Sequence, residues 1–294
     1  MDILITNDDG PDSAGLIILA DTLAVAGHRV RIVCPSRQKS GVGMQLTIYE
    51  PVGILQRAFG DSLEGYVVYG SPADCVKLAA RAIYGGRKPL HEDFRPVLTV
   101  AGINPGANCS VNVLYSGTVA ACLEALICDL PAIAVSVDLV PHTEPVSSSV
   151  ARDDFQYAAR FVSSLIDRFP DLILPRLSDG HRNLLNVNVP YHAETRVRGV
   201  KRCRQGFSRF NDWYEPHPSD SDGRLFYQLT GILEHDATVS EPDDATLLSD
   251  GWITLTLLDT SLTIETQRAV LTDAMLEKME KITGRERCFK TDVR

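Results

Sequence analysis

The sequence has no apolar run approaching the roughly 20 residues that a membrane-spanning helix needs. It is short of positive charge: 29 Lys and Arg stand against 38 Asp and Glu, a net charge of −9. Coating a phosphate backbone takes an excess of cations, so no stable nucleic-acid complex is expected. No C-x-x-C pair exists, and the seven histidines form neither H-E-x-x-H nor a close pair, which removes the common zinc signatures. The seven cysteines (34, 75, 109, 122, 128, 203 and 288) are odd in number, and several lie in apolar runs such as Val30–Cys34. Free thiols of a reducing compartment fit them better than disulfides. No secretory leader pattern is visible, so a cytoplasmic location without membrane attachment is expected. Phosphate-loop motifs are missing too. There is no G-x-x-x-x-G-K-[ST], and Gly41-x-Gly43 fails the dinucleotide fingerprint because Leu46 stands where its third glycine belongs. Ser116 has Leu114 and Thr118 as its i±2 neighbours, so it is no nucleophile elbow.

What is present is an ordinary globular mixture: 44% hydrophobic and 23% charged residues over 294 positions, enough for one large or two ordinary domains. The first 140 residues alternate short β-branched runs with helical segments. Strands are expected over Asp2–Thr6, Arg29–Cys34, Tyr66–Tyr69, Val97–Ala101 and Ala132–Val137. Between them, helices are expected over Gly15–Ala26, from Ser71 to about Tyr84, and over Thr118–Cys128. Ser71, Pro72 and Asp74 spell a capping box with proline at the first helical position. This alternation predicts a Rossmann-like, doubly wound α/β fold with a mostly parallel sheet. Leu139–Val150 reads as a loop, Asp153–Phe169 as an amphipathic helix and Leu184–Val189 as a strand ending at Pro190. The character then changes. Residues 196–209 carry six cations and no acid, and read as a solvated face or a subunit contact. Asp212–Asp222 is polar and turn-rich; Leu225–Leu229 and Trp252–Leu258 read as strands, and Ala269–Ile282 as a last helix. The division expected is an α/β catalytic domain over 1–190 and, over 191–294, a β-rich extension with a C-terminal helix that serves oligomerisation.

In doubly wound folds, ligands bind beyond the carboxyl ends of the strands. After the first strand stands Asn7-Asp8-Asp9-Gly10. Two adjacent aspartates converge on one ion only where the chain leaves the strand, and Gly10 permits such a turn; the plain alternative is a solvated turn. Hard oxygen ligands suit Mg²⁺, Mn²⁺ or Ca²⁺. The second strand leads into Ser36–Gly43, which offers hydroxyls, cations and a flexible backbone. Gly102–Asn108 brings Asn104 and Asn108, whose amides serve as neutral ligands or as donors, or simply build a turn. Tyr115-Ser116-Gly117-Thr118 opens a helix, whose free N–H groups suit a phosphate or need only a Ser116 cap. Asp74 reads as a cap; Trp213, Tyr214 and Trp252 read as packing or interface aromatics. With no conventional nucleophile, the set suits a metal-activated water attacking a bound phosphate.

Together these segments, with Gly70–Leu78 and Asn186-Val187-Asn188-Val189-Pro190, resemble the SurE (survival protein E) family of 5′/3′-nucleotidases over roughly residues 1–190. The resemblance implies metal-dependent hydrolysis of nucleoside monophosphates, with other phosphate esters or short polyphosphates as further substrates. It implies one divalent metal, Mg²⁺ or Mn²⁺ (or Ca²⁺ in crystals), held by Asp8, Asp9, Ser40 and Asn104. Asp8 and Asp9 would be the catalytic carboxylates, and Asn7, Asn108, Ser116, Gly117 and Thr118 would surround the phosphate. A homodimer or tetramer is implied. Three features depart from the family pattern: Ala101 where serine is frequent, Ser71 for threonine, and a loosely matching Phe207–Asp222. The rival reading is a nucleotide-binding regulatory protein without turnover.

Overall fold

A computed structural model describes residues 1–60, 63–139, 148–173, 183–218, 224–234 and 242–262. In chain order its elements are β1 (Asp2–Thr6), α1 (Ala14–Val25), β2 (Arg29–Pro35), β3 (Ile54–Phe59), β4 (Leu63–Val68), α2 (Pro72–Leu78) and β5 (Leu98–Pro105). These are followed by α3 (Gly117–Ile127), β6 (Ala132–Val137), α4 (Ser148–Arg168), α5 (Pro170–Ile173), β7 (Leu184–Val189), α6 (Ala193–Arg196) and β8 (Gly199–Cys203). The last are β9 (Arg209–His217), β10 (Phe226–Glu234), α7 (Asp244–Ser249) and β11 (Trp252–Leu258).

Strands β1, β5, β6 and β7 are buried along most of their length because both faces of the sheet are covered. Side chains alternate between those faces. Ile3 and Ile5 point into a core shared with Leu16, Leu19 and Leu23 of α1 and Val162 and Ile166 of α4. Leu4 points the other way, into a core with Val76 of α2 and Val119 and Cys122 of α3. The result is a helix–sheet–helix sandwich around nine strands in the order β3-β4-β2-β1-β5-β6-β7-β11-β8. The six strands from β4 to β7 run parallel, as the alternation predicted. From β1 the chain builds outward through β2 to β4, then returns to place β5 on the other side of β1. This reversal opens a crevice beyond the carboxyl ends of β1 and β5, the usual ligand position in such sheets.

Several expectations shift. β3 escaped the sequence reading because it is an exposed antiparallel edge with no buried face to impose alternation. Asp212–His217 is strand, not turn: it lies in β9, whose backbone groups pair with β10. α4 begins at Ser148, inside the expected loop. The sheet also continues past residue 190. β11 adds antiparallel to β7, β8 adds parallel to β11, and only β9 and β10 form a separate two-stranded sheet. The expected helix Ala269–Ile282 lies outside the described residues. Among the described residues, no helix is long and apolar enough to cross a membrane.

Candidate active site

The crevice is built from four loops. The first is a turn closed by Asn7, which is fully buried at the end of β1. Its Nδ2 donates to the Gly10 carbonyl at 2.9 Å, and its Oδ1 accepts from the Gly10 N–H at 3.3 Å. Gly10 has φ +98°, a region that favours glycine. Asn7, expected beside the phosphate, thus uses its amide to shape the turn that carries Asp8 and Asp9.

Asp8 is met by the start of α3. The Thr118 hydroxyl donates to Asp8 Oδ1 at 2.5 Å. A Cβ on Gly117 would stand 2.7 Å from Asp8 Cβ, so the close approach that this glycine permits is made by Asp8. Both residues are expected beside phosphate; in the structure Thr118 is fully buried with its hydroxyl on the Asp8 carboxylate, and Asp8 fills the space above Gly117. Ser116 caps α3, its hydroxyl accepting from the Val119 N–H at 3.1 Å.

The loop after β2 is tied down on both sides of Ser40. The Lys39 N–H donates to the Asp8 carbonyl at 2.6 Å, and the Gly43 N–H to the Tyr115 carbonyl at 3.0 Å. Gln38 Nε2 donates to the Ser40 hydroxyl at 3.0 Å. Farther along, the Thr47 N–H and hydroxyl donate to the Asp74 carboxylate at 2.9 and 2.8 Å. Asp74 completes the expected capping box with Ser71. Its second task, anchoring the Ser40 loop, was not visible in the sequence.

The fourth is the end of β5, which runs past the expected Ala101 through Asn104 to Pro105, with the loop after it. Asn104 Nδ2 donates to the Gly106 carbonyl at 2.6 Å, which leaves its Oδ1 as the free end of the amide. Asn108 is knitted into the ends of β6 and β7. Its N–H donates to Asn188 Oδ1 at 2.8 Å, its Nδ2 donates to Ser136 Oγ at 2.8 Å, and its carbonyl accepts from Asn186 Nδ2 at 2.8 Å. Ser136, Asn186 and Asn188 were missed as supports. The available signal was two asparagines two apart in an apolar strand, since buried amides require partners.

Electrostatics mark both carboxylates. Burial pushes the Asp8 carboxyl above the usual range, although the Thr118 hydroxyl and the Gly117 and Thr118 N–H groups pull it down. Burial, and then the neighbouring Asp8 charge, push Asp9 up to about 7. Asp9 Oδ2 is buried with no hydrogen-bond partner. An orphaned carboxylate oxygen beside a second buried carboxylate fits a hard divalent cation, which would offset both costs. Among the described residues, no three His, Cys, Asp or Glu side chains gather as a metal site, so a cation here would need neutral oxygens such as those of Ser40 and Asn104. No hydrogen bond joins the Asn104 side chain to either aspartate. Beside Asp9 an open cleft of about 630 Å³ is lined by Asp12, Ser13, Arg37, Gln38 and Phe155 among others.

Known proteins share this chain's sequence and fold. The family described as "Survival protein SurE" matches residues 3–212. A protein of Trichormus variabilis named 5′-nucleotidase SurE is 35% identical over 276 residues, covering 90% of this chain and 95% of that one. One of the same name from Gloeobacter violaceus is 37% identical over 283 residues, covering 95% and 97%. The crystal structure of the SurE protein from Aquifex aeolicus superposes with a TM-score of 0.67 at 27% identity, covering 96% of this chain and 99% of that one. With a family match over most of its length and relatives above one-third identity, the chain belongs to the SurE family.

Proposed function

We propose that the chain is a hydrolase of phosphomonoesters, a 5′-nucleotidase that releases inorganic phosphate from nucleoside monophosphates. The observation that carries this reading is the adjacent Asp8 and Asp9 at the sheet's switch point, with Asp8 buried and held against the start of α3. It is supported by family membership and by the 5′-nucleotidase names of the relatives. Nucleoside 3′-monophosphates and short polyphosphates are proposed as further substrates.

Asp8, Asp9, Ser40 and Asn104 would hold a Mg²⁺ or Mn²⁺ ion. Such an ion supplies Lewis-acid stabilisation of phosphate charge and a water of lowered pKa. The chain's own groups do the rest. Thr118 and the α3 N–H groups keep Asp8 in one orientation. Asp9, at the edge of the cleft, would place one carboxylate oxygen on the ion and offer the other to a proton of the attacking water. Asn108 and Ser116 border the phosphate, and the cleft beside Asp9 receives the nucleoside. The exposed aromatics of β9 and β10 support assembly as a homodimer or tetramer. The free cysteines among the described residues support a reducing, cytoplasmic setting.

The test is phosphate release from 5′-AMP, 3′-AMP and tripolyphosphate with Mg²⁺ or Mn²⁺, and again with EDTA. EDTA-sensitive release is expected. Nucleotide binding without any release would instead favour a regulatory binder.

A further inference from the structure

Ser110 stands two residues after Asn108 and six before Ser116. It is fully buried, and its φ of +53° lies in the left-handed region that serine rarely adopts. The group that grips it comes from 134 residues away. The Asp244 carboxylate accepts from the Ser110 N–H at 3.0 Å, the Ser110 hydroxyl at 3.0 Å, the Gly206 N–H at 2.9 Å and the Ala245 N–H at 2.9 Å. Asp244 is itself fully buried, and the charge beside it is the like charge of Asp243. Four donors offset part of the cost of burying such a carboxylate, although burial still holds it above the usual carboxylate range. Two more links close the junction: Gln205 Nε2 donates to the Ser110 carbonyl at 2.9 Å, and the Val111 N–H to the Ser208 carbonyl at 3.5 Å. A Cβ on Gly206 would fall 2.0 Å from Asp243 Oδ2 and 2.6 Å from Ser110 Oγ, so the strands of chain meet here without slack.

We propose that Asp244 is a positioning residue for the phosphate side of the active site. It locks Ser110 in its strained conformation. That sets the short turn Ser110–Leu114, whose Asn112 carbonyl accepts the Tyr115 and Ser116 N–H groups at 3.0 and 3.1 Å. The position of Ser116 and of the start of α3 follows. Asn108 is fixed from the other side by β6 and β7, so Asp244 supplies the restraint that those strands do not. The same carboxylate ties this segment to Gly206, three residues before β9, and so links the base of the two-stranded sheet to the site. The proposal rests on the phosphomonoesterase reading for its kinetic readout, but not for its binding readout.

The experiment compares Asp244→Asn with the full-length wild type in two measurements. One is steady-state hydrolysis of 5′-AMP, at a temperature where both are folded. The other is calorimetric binding of Mn²⁺, then of inorganic phosphate to the Mn²⁺-loaded protein. An amide cannot accept at both ends, so one of the Ser110 and Gly206 N–H groups loses its acceptor. Phosphate affinity and kcat/KM should each fall by about ten-fold or more, the scale of a small misplacement transmitted to a site. Mn²⁺ affinity should change by less than about two-fold, as for an independent site. Unchanged phosphate affinity, or Mn²⁺ and phosphate affinity falling together, overturns the proposal. Should Asp244→Asn fail to fold, Ser110→Ala decides: it removes one bond without a charge change, and phosphate affinity equal to wild type would overturn the proposal. A wild type that binds phosphate yet releases none from 5′-AMP refutes the nucleotidase reading alone.

Discussion

Thr118 donates its hydroxyl hydrogen to Oδ1 of Asp8 at 2.5 Å, from a position with no solvent exposure. A residue that opens a helix thus serves the carboxylate of another loop. Removing the hydroxyl leaves a buried oxygen short of a donor and frees the carboxylate to rotate. Thr118→Val should lower Mn²⁺ affinity and kcat/KM by about 10- to 100-fold, the usual cost of losing a group that orients a metal ligand. Thr118→Ser should keep most of both. Calorimetry with Mn²⁺ beside 5′-AMP kinetics checks this; a Val variant with unaltered metal affinity would show that the bond is incidental.

Asp8→Asn and Asp9→Asn should each reduce turnover by at least about 10³, the loss expected when a principal electrostatic stabiliser is removed. Neither should unfold the protein. In EDTA, Asp9→Asn should melt no lower than wild type, because the substitution removes a buried charge beside Asp8. Near-normal turnover in either purified variant would defeat the two-carboxylate mechanism.

Asp74 ties α2 to the Ser40 loop, and its stability contribution depends on pH. Burial alone would raise its carboxyl, but hydrogen bonds from Ser71 and Thr47 outweigh burial and hold it below the usual carboxylate range. A depressed carboxyl stabilises the fold above its unfolded value and loses that contribution as pH falls through the folded one. Asp74→Asn should therefore destabilise at neutral pH by about 1–3 kcal/mol and melt with a flatter acid limb than wild type. Thermal melts from neutral pH down to the acid transition measure both. Parallel curves for the two proteins would remove Asp74 from the acid response.

Burial pushes the Cys34 thiol up to about 12 and the Cys75 thiol well above its ordinary value. The thiolate is the reactive form, so neither should react with a disulfide reagent at neutral pH while the protein is folded. Both should react in denaturant. Cys203, only partly buried, should be the first of the described cysteines labelled. Peptide mapping after timed labelling reads the order directly; early modification of Cys34 would contradict its burial in the core between the sheet and α1.

Strands β9 and β10 pair with each other alone and leave Trp213, Tyr214, Tyr227 and Leu229 substantially exposed. A two-stranded sheet is marginal in water without a covering surface. Light scattering at micromolar concentration should find a dimer or tetramer. Deleting residues 211–232 while sparing Gly206 should weaken the assembly and leave the nine-stranded sheet folded. A full-length monomer would contradict this.

The local grammar of the chain was legible without coordinates. β7 and β11 fall on the expected residues, as does the Ser71–Pro72–Asp74 capping box, because apolar runs, caps and turn residues act over a few positions. The segments carrying Asp8, Ser40, Asn104 and Ser116 were legible for the same reason: each ends or follows a strand or opens a helix. β3 was hidden because an exposed edge strand has no buried face to pattern it. The strand order, and with it the crevice between β1 and β5, was decided only by packing two apolar faces around one sheet. So was the partner of each polar group. Thr118 reaches Asp8 across 110 positions, and Ser110 reaches Asp244 across 134. No local pattern encodes such distances. They are set when burial strips these groups of water and each must find its hydrogen bond in another segment.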